Sequence, residues 1–213
     1  MDRCEAVERV MRLIDTIESD PMPVPIREVW VFGELALGLD PVDRIDVYLA
    51  KDMLFTMDTD GGSQAPVPDI PGIGETVAAA WAAQYPEYVR TNKSGYAAPE
   101  RCLAAHLVDP DEPIHLEICN ASFEDNVRQR VRGAATHETF EDILDPRGVC
   151  LWLEGTRSET APATLKRGEY VFPTLPEALT MIGLNEQLAD RASDVVLQWR
   201  ADRSGMSVRG DVL

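Results

Sequence analysis

The sequence predicts an α/β fold of the α+β kind: a small mixed sheet flanked by helices, followed by a helical C-terminal extension. Three observations carry this prediction. Four short segments rich in β-branched and aromatic residues, near 26–32, 44–50, 114–119 and 149–153, are bounded by turn residues. Between them lie stretches with apolar residues at helical spacing. The chain has 213 residues, 45% of them hydrophobic, with four tryptophans, which is enough to fill a sizeable core.

The first element is a helix over 4–18. Val7, Val10, Met11, Ile14 and Ile17 form its apolar stripe. Pro21, Pro23 and Pro25 then forbid helix and make an extended lead-in. The run IREVWVF, Ile26 to Phe32, is the first strand and stops at Gly33. A small-residue segment to Gly38 and a turn around Asp40-Pro41 precede the second strand, Arg44 to Ala50. There Ile45, Val47 and Leu49 face one side, and Arg44, Asp46 and Tyr48 the other.

The Gly, Pro, Asp and Ser density of 58–73 predicts a loop. Short helices are expected over 74–84 and 99–107, a turn at 109–113, and a third strand, IHLEIC, over 114–119. Ser122, with Asp125 three residues on, opens a helix through about Arg132. A further helical turn or two is expected over 138–144.

Residues 1–145 read as one domain, and 146–213 as a strand-plus-helix extension packed on the same core. In that extension VCLWL, 149–153, is a strand and 157–168 a polar loop. Thr174 and Glu177 form a capping-box signature before a short helix ending near Gly183. Leu188, Ala192, Val195, Val196 and Trp199 mark a longer amphipathic helix over 185–203, expected to pack on the sheet rather than to form a dimer surface.

Charge sets the expected surroundings. The chain carries 37 acids against 20 bases, a formal net charge of −17. Only three of the bases are lysines: Lys51, Lys93 and Lys166. The acids are spread along the chain and form no tail. A solvated acidic face does not explain so few lysines, whereas a cytoplasm at molar salt does. There the Debye length is about 3 Å, self-repulsion is screened, and a carboxylate-rich surface stays hydrated. The sequence therefore reads as a halophilic, archaeal, cytoplasmic protein for which nucleic acid is not a favoured partner. The opening MDRCEAVERV has neither a basic nor an apolar leader region, and the most apolar stretch, Thr76 to Ala83, is far too short to span a membrane. Cys4, Cys102, Cys119 and Cys150 show no CxxC and are expected as reduced core thiols.

One segment carries chemical information. In IREVWVFGELALGLDPVDRIDVYLA, Ile26 to Ala50, a strand ends in a glycine at Gly33. A second glycine follows at Gly38, and the next strand bears Asp46. Glu117 sits at the centre of the third strand. This arrangement resembles the opening signature of the nucleotidyltransferase superfamily over roughly residues 26–120. In that family a strand ends in Gly-Ser, the next carries a metal-binding Asp-x-Asp pair, and a later strand supplies a third acid. The resemblance implies two Mg²⁺ ions held by carboxylates, one activating the attacking oxygen and one neutralising the triphosphate. It places Asp46 and Glu117 as the second and third acids, and Gly33, Glu34, Gly38 and Arg44 on the phosphate side of the cleft.

The sequence departs from that pattern twice. Glu34 stands where the family has serine, and Arg44 stands at the first acid of the pair. A guanidinium cannot ligate Mg²⁺, but its fork suits a carboxylate, so Arg44 can pair with Asp46, Glu117 or Glu34. Two readings follow. In the first, the domain is catalytically degenerate and binds a nucleotide or a protein partner through the old cleft, without metal. In the second, a bulge re-aims Asp43, and Asp43, Asp46 and Glu117 hold Mg²⁺ in an active enzyme. The two differ in whether Arg44 or Asp43 shares a face with Asp46.

A further set is zinc-competent: Cys102 with His106, and His115 with Cys119. Their spacing matches no common structural zinc motif, and the simpler reading is core cysteines beside locally bonded histidines. No GxSxG, GxGxxG or GxxxxGK[ST] is present.

Overall fold

A computed structural model describes residues 1–54, 68–137, 139–201 and 205–210. Its helices are α1 (Arg3–Ser19), α2 (Gly33–Ala36), α3 (Ala79–Gln84), α4 (Pro99–Leu107), α5 (Phe123–His137), α6 (Ala161–Arg167), α7 (Leu175–Met181) and α8 (Glu186–Ala201). Its strands are β1 (Ile26–Phe32), β2 (Ile45–Lys51), β3 (Ile114–Cys119), β4 (Val149–Leu153), β5 (Thr156–Arg157) and β6 (Ser207–Gly210). They form one mixed sheet in the order β5-β4-β1-β2-β3-β6. β1 is antiparallel to β2 and β4, and β4 to β5, while β2, β3 and β6 run parallel. The α+β fold class is thus as the sequence predicts.

Period-two alternation gives the sheet two unlike faces. Val29 and Val31 of β1 lie beside Leu49 and Val47 of β2, which pair with Ile118 and Leu116 of β3. These residues form the main apolar core with Ala6, Val7, Val10, Leu13, Ile14 and Ile17 of α1, Leu103 and Leu107 of α4, and Ala161 and Leu165 of α6. The opposite face carries Phe32, Asp46, Tyr48, His115 and Glu117. Phe123 and Val127 of α5 cover its apolar part, with Phe123 stacked on Trp30. Beyond α5, the residues Val131, Leu175, Leu179, Ala189, Ala192 and Val196 tie α5, α7 and α8 into a second core. The apolar stripe of α8 therefore packs on helices, and only its end reaches the sheet.

Local signals explain the ends of several elements. Asp2 and Glu5 make a capping box on α1, and Thr174 and Glu177 make one on α7. Ser122 Oγ accepts the Asp125 N–H at 3.2 Å at the start of α5. Buried Glu28 accepts the Phe123 N–H at 3.1 Å and the Trp30 indole N–H at 2.8 Å, fastening α5 to β1.

The structure corrects four further expectations. The expected loop over 157–168 holds α6, which has proline in its first turn and left-handed Gly168 as its C-cap. The helix expected over 74–84 begins only at Ala79, because Gly72 and Gly74 both take positive φ and the chain turns there. Of 138–144, the described residues 139–144 make a turn and no helix. The C-terminal extension is not wholly helical, since β6 returns to the sheet beside β3. The expected loop over 58–73 lies largely outside the described residues. Among the described residues no helix is long and apolar enough to cross a membrane.

Candidate functional site

The polar face of the sheet gathers charge where β1 ends and β2 begins. Gly33 takes φ +67°, a left-handed conformation that favours glycine. The site demands glycine a second time, because a Cβ there would overlap Asp46 Oδ2. The backbone turn after β1 is thus pressed against the Asp46 carboxylate, which is 1% exposed.

Arg44, not Asp43, is brought against that carboxylate. Arg44 Nε lies 2.9 Å from Asp46 Oδ1, and the arginine is 6% exposed. Its Nη1 is buried with no hydrogen-bond partner among the described residues. Asp43 is solvent-exposed. Glu34 explains why: its Oε2 accepts the backbone N–H groups of Asp43 at 2.7 Å and Arg44 at 3.1 Å. The Glu34 carboxylate therefore fixes the chain entering β2 and sets the side on which Arg44 emerges. Gly38 sits elsewhere. Its backbone packs on Gly168, and Arg3 Nη1 donates to its carbonyl at 2.7 Å.

Glu117 lies on the same sheet face as Asp46, on the neighbouring parallel strand, where Asp46 pairs with His115 and Tyr48 with Glu117. It is fully buried and surrounded by cations and donors. His115 Nε2 lies 2.9 Å from Oε1, Arg130 Nη2 of α5 donates to Oε2 at 3.1 Å, and Arg209 Nε of β6 donates to Oε1. Burial alone would raise its pKa. The His115 hydrogen bond and the two guanidiniums outweigh burial and hold the carboxyl below its ordinary range. Burial also works against the charge of Arg130, but the Glu117 carboxylate overcomes it and raises the arginine's pKa. His115 Nδ1 is 2.7 Å from Ser207 Oγ, so β6 fixes both ends of the imidazole's surroundings.

Trp199, near the end of α8, closes the cluster. Arg44 lies 5.5 Å and Arg209 4.9 Å from its ring centroid, and His115 meets it edge-on at 5.3 Å. One indole thus contacts both halves of the network, the Arg44–Asp46 pair and the Glu117 cluster.

The sequence-predicted Arg44, Asp46 and Glu117 share this face, with Gly33 and Glu34 shaping its rim. Arg130 and Arg209 were not singled out by the sequence, and Trp199 was marked only as part of the apolar stripe of the last helix. The elements that deliver them to this site are settled by tertiary packing.

The zinc-competent residues do not converge. Cys102 Sγ bonds the backbone of Arg90, and His106 is boxed by Trp81, Tyr85 and Tyr88. Cys119 Sγ is 3.5 Å from Arg130 Nη2. Among the described residues no group of three or more His, Cys, Asp or Glu side chains is placed to hold a metal ion. What the arrangement can do is hold negative charge. Both acids are already matched by guanidiniums in a low-dielectric setting, where such contacts are strong and directional.

The chain belongs to a family of unknown function (DUF7095), whose model matches residues 2–213. No curated protein and no solved structure matches it.

Proposed function

We propose that this chain is a nucleotidyltransferase-like domain whose metal centre has become an arginine–carboxylate network, and that it acts by binding rather than by nucleotidyl transfer. The ligand of the old cleft is a nucleotide or a protein partner. The observation that carries this reading is the buried Arg44–Asp46 pair at 2.9 Å. A fixed positive charge stands where the superfamily pattern has a metal-binding acid, and it uses the neighbouring acid as its counter-ion. Supporting it, Arg44 Nη1 is a buried donor with no hydrogen-bond partner among the described residues. Such a donor costs about 1–3 kcal/mol unless an acceptor meets it, and a ligand's oxygen is a suitable acceptor.

The wider setting belongs to the same reading. The excess of acids over lysines supports a halophilic, archaeal protein working in the cytoplasm, with Mg²⁺ needed only if catalysis survived. Asp43, Asp46 and Glu117 would then have to converge, and Asp43 is exposed with its N–H held by Glu34.

Calorimetric titration of Mn²⁺, with and without nucleoside triphosphates, tests the reading in KCl at about 1 M, where diffuse electrostatics are screened. The wild type is expected to show no metal binding at the polar face. Arg44→Asp, which puts two acids two residues apart at the start of β2, is expected to gain it. Mn²⁺ binding by the wild type that is lost in Asp46→Asn would overturn the proposal.

A further inference from the structure

The other end of the parallel strands holds a second feature, which shares only Arg209 with the arginine network. A cleft of about 870 Å³ opens beyond the carboxyl ends of β2, β3 and β6, lined there by Lys51, Asn120 and Gly210. Crevices outside the carboxyl ends of parallel strands are where open α/β sheets bind ligands. The first turn of α4 and the segment 92–98 complete its walls.

Its charge runs against the rest of the molecule. Two of the three lysines in the chain, Lys51 and Lys93, line it together with Arg101. Of the three acids along it, Asp52 is bound to Arg27 at 2.7 Å and Glu100 to Lys51 at 3.0 Å, which leaves Glu75 as the one without an ion pair among the described residues. Lys93 and Arg101 carry no ion pair among the described residues. Lys51 is 4% exposed and pinned by Asn120 Oδ1 at 2.6 Å. Those two partners engage two of its three donors. On a chain of net charge −17, two unpaired cations against one unpaired acid make this a local excess of positive charge that suits an anion.

The cleft also gathers apolar side chains. Met53, Tyr96 and Val208 all line it, and all three are among the exposed large hydrophobic side chains. Tyr96 offers a flat face, with the polar side chains of Asn92 and Ser94 nearby. Apolar walls with a few convergent polar groups are the usual make-up of a small-molecule site.

We infer that this cleft binds a small phosphate-bearing molecule with a flat apolar ring, the phosphate held by Lys51, Lys93 and Arg101 and the ring lying on Tyr96 beside Met53. This inference goes beyond the reading of the arginine network and does not depend on it.

Titration calorimetry with phenyl phosphate, without metal and at about 1 M KCl to screen non-specific attraction, tests it. Inorganic phosphate and phenol are run beside it as the two halves of the probe. Phenyl phosphate is expected to bind the wild type more tightly than either half. Lys93→Gln and Tyr96→Ala change exposed side chains and so leave the fold intact. Each is expected to weaken binding by roughly tenfold, the usual effect of losing one good contact. Lys166→Gln, at the third lysine outside the cleft, is expected to change nothing. Absence of phenyl phosphate binding overturns the proposal. So does equal affinity in wild type and the two cleft variants, or inorganic phosphate binding as tightly as phenyl phosphate. None of these outcomes bears on Arg44 and Asp46, which the probes and variants leave untouched.

Discussion

A single residue exchange changes what the polar face can hold. An acid at position 44 would leave two carboxylates side by side at the start of β2, needing a cation; arginine supplies that cation as part of the chain. Glu117 shows the same logic with more partners, and it yields a pH prediction. Its carboxyl is held below the ordinary value of 4.5 in the fold. The unfolded chain therefore takes up the proton first as pH falls. The stabilisation is whole above about pH 4.5 and is lost as pH drops through the lower, folded value. Chemical denaturation between neutral and acid pH should show the wild type losing more stability than Glu117→Gln over that window. At neutral pH the variant should be weaker by about 3–5 kcal/mol, because Arg130 and Arg209 lose their buried anion and Arg209 keeps only the exposed Asp142. Parallel pH dependence of the two proteins would show that Glu117 is not the charged hub. At this scale the sequence was partly legible. Alternation along 44–50 put Arg44 and Asp46 on one face, and spacing put Glu117 in the middle of a strand. Arg130 and Arg209 stand 13 and 92 residues from Glu117, and Trp199 reaches Arg44, Arg209 and His115 from near the end of α8; no local pattern announces such meetings.

Elements were legible where their own residues decide the conformation. Ile26–Phe32, Ile114–Cys119 and Val149–Leu153 are β-branched, apolar runs, and each forms a strand over those bounds. Pro99–Leu107 is a helix as expected, with proline in its first turn. β6 was not legible, because Ser207–Gly210 is short and mixed and becomes a strand only through pairing with β3. α6 was missed for a different reason. Its proline and its closing Gly168 are proper helix signals, but the polar residues around them read as loop. The join between elements gives another prediction. Glu28 is a buried carboxylate whose partners are the first N–H of α5 and the Trp30 indole. Glu28→Ala leaves the buried Phe123 N–H and the half-buried Trp30 indole N–H without an acceptor, at about 1–3 kcal/mol for the buried donor and less for the other. Hydrogen exchange should then speed up in the first turn of α5 before it does in α1, which Glu28 does not touch. Equal acceleration throughout would mean that α5 is held to the sheet by packing alone.

At the scale of the whole molecule, charge and chemistry have to be reconciled. A net charge of −17 on 213 residues repels itself across about 10 Å at 0.1 M salt and hardly at all at molar salt. The thermal midpoint should therefore climb steeply as KCl is raised from about 0.1 M to about 2 M, since screening removes repulsion while apolar burial is kept or strengthened. A midpoint unchanged across that range would leave the acidity to be explained by a basic partner. Buried ion pairs are screened far less than surface charge, so the Arg44–Asp46 and Glu117 contacts should persist at both ends of the range. That persistence makes function testable at high salt. The most direct measurement is pyrophosphate release by the wild-type protein with each nucleoside triphosphate and Mg²⁺ or Mn²⁺, in KCl at about 1 M. The proposed replacement of a metal centre by arginine predicts no release above the protein-free rate with any triphosphate or metal. Metal-dependent release that disappears in Asp46→Asn would contradict it.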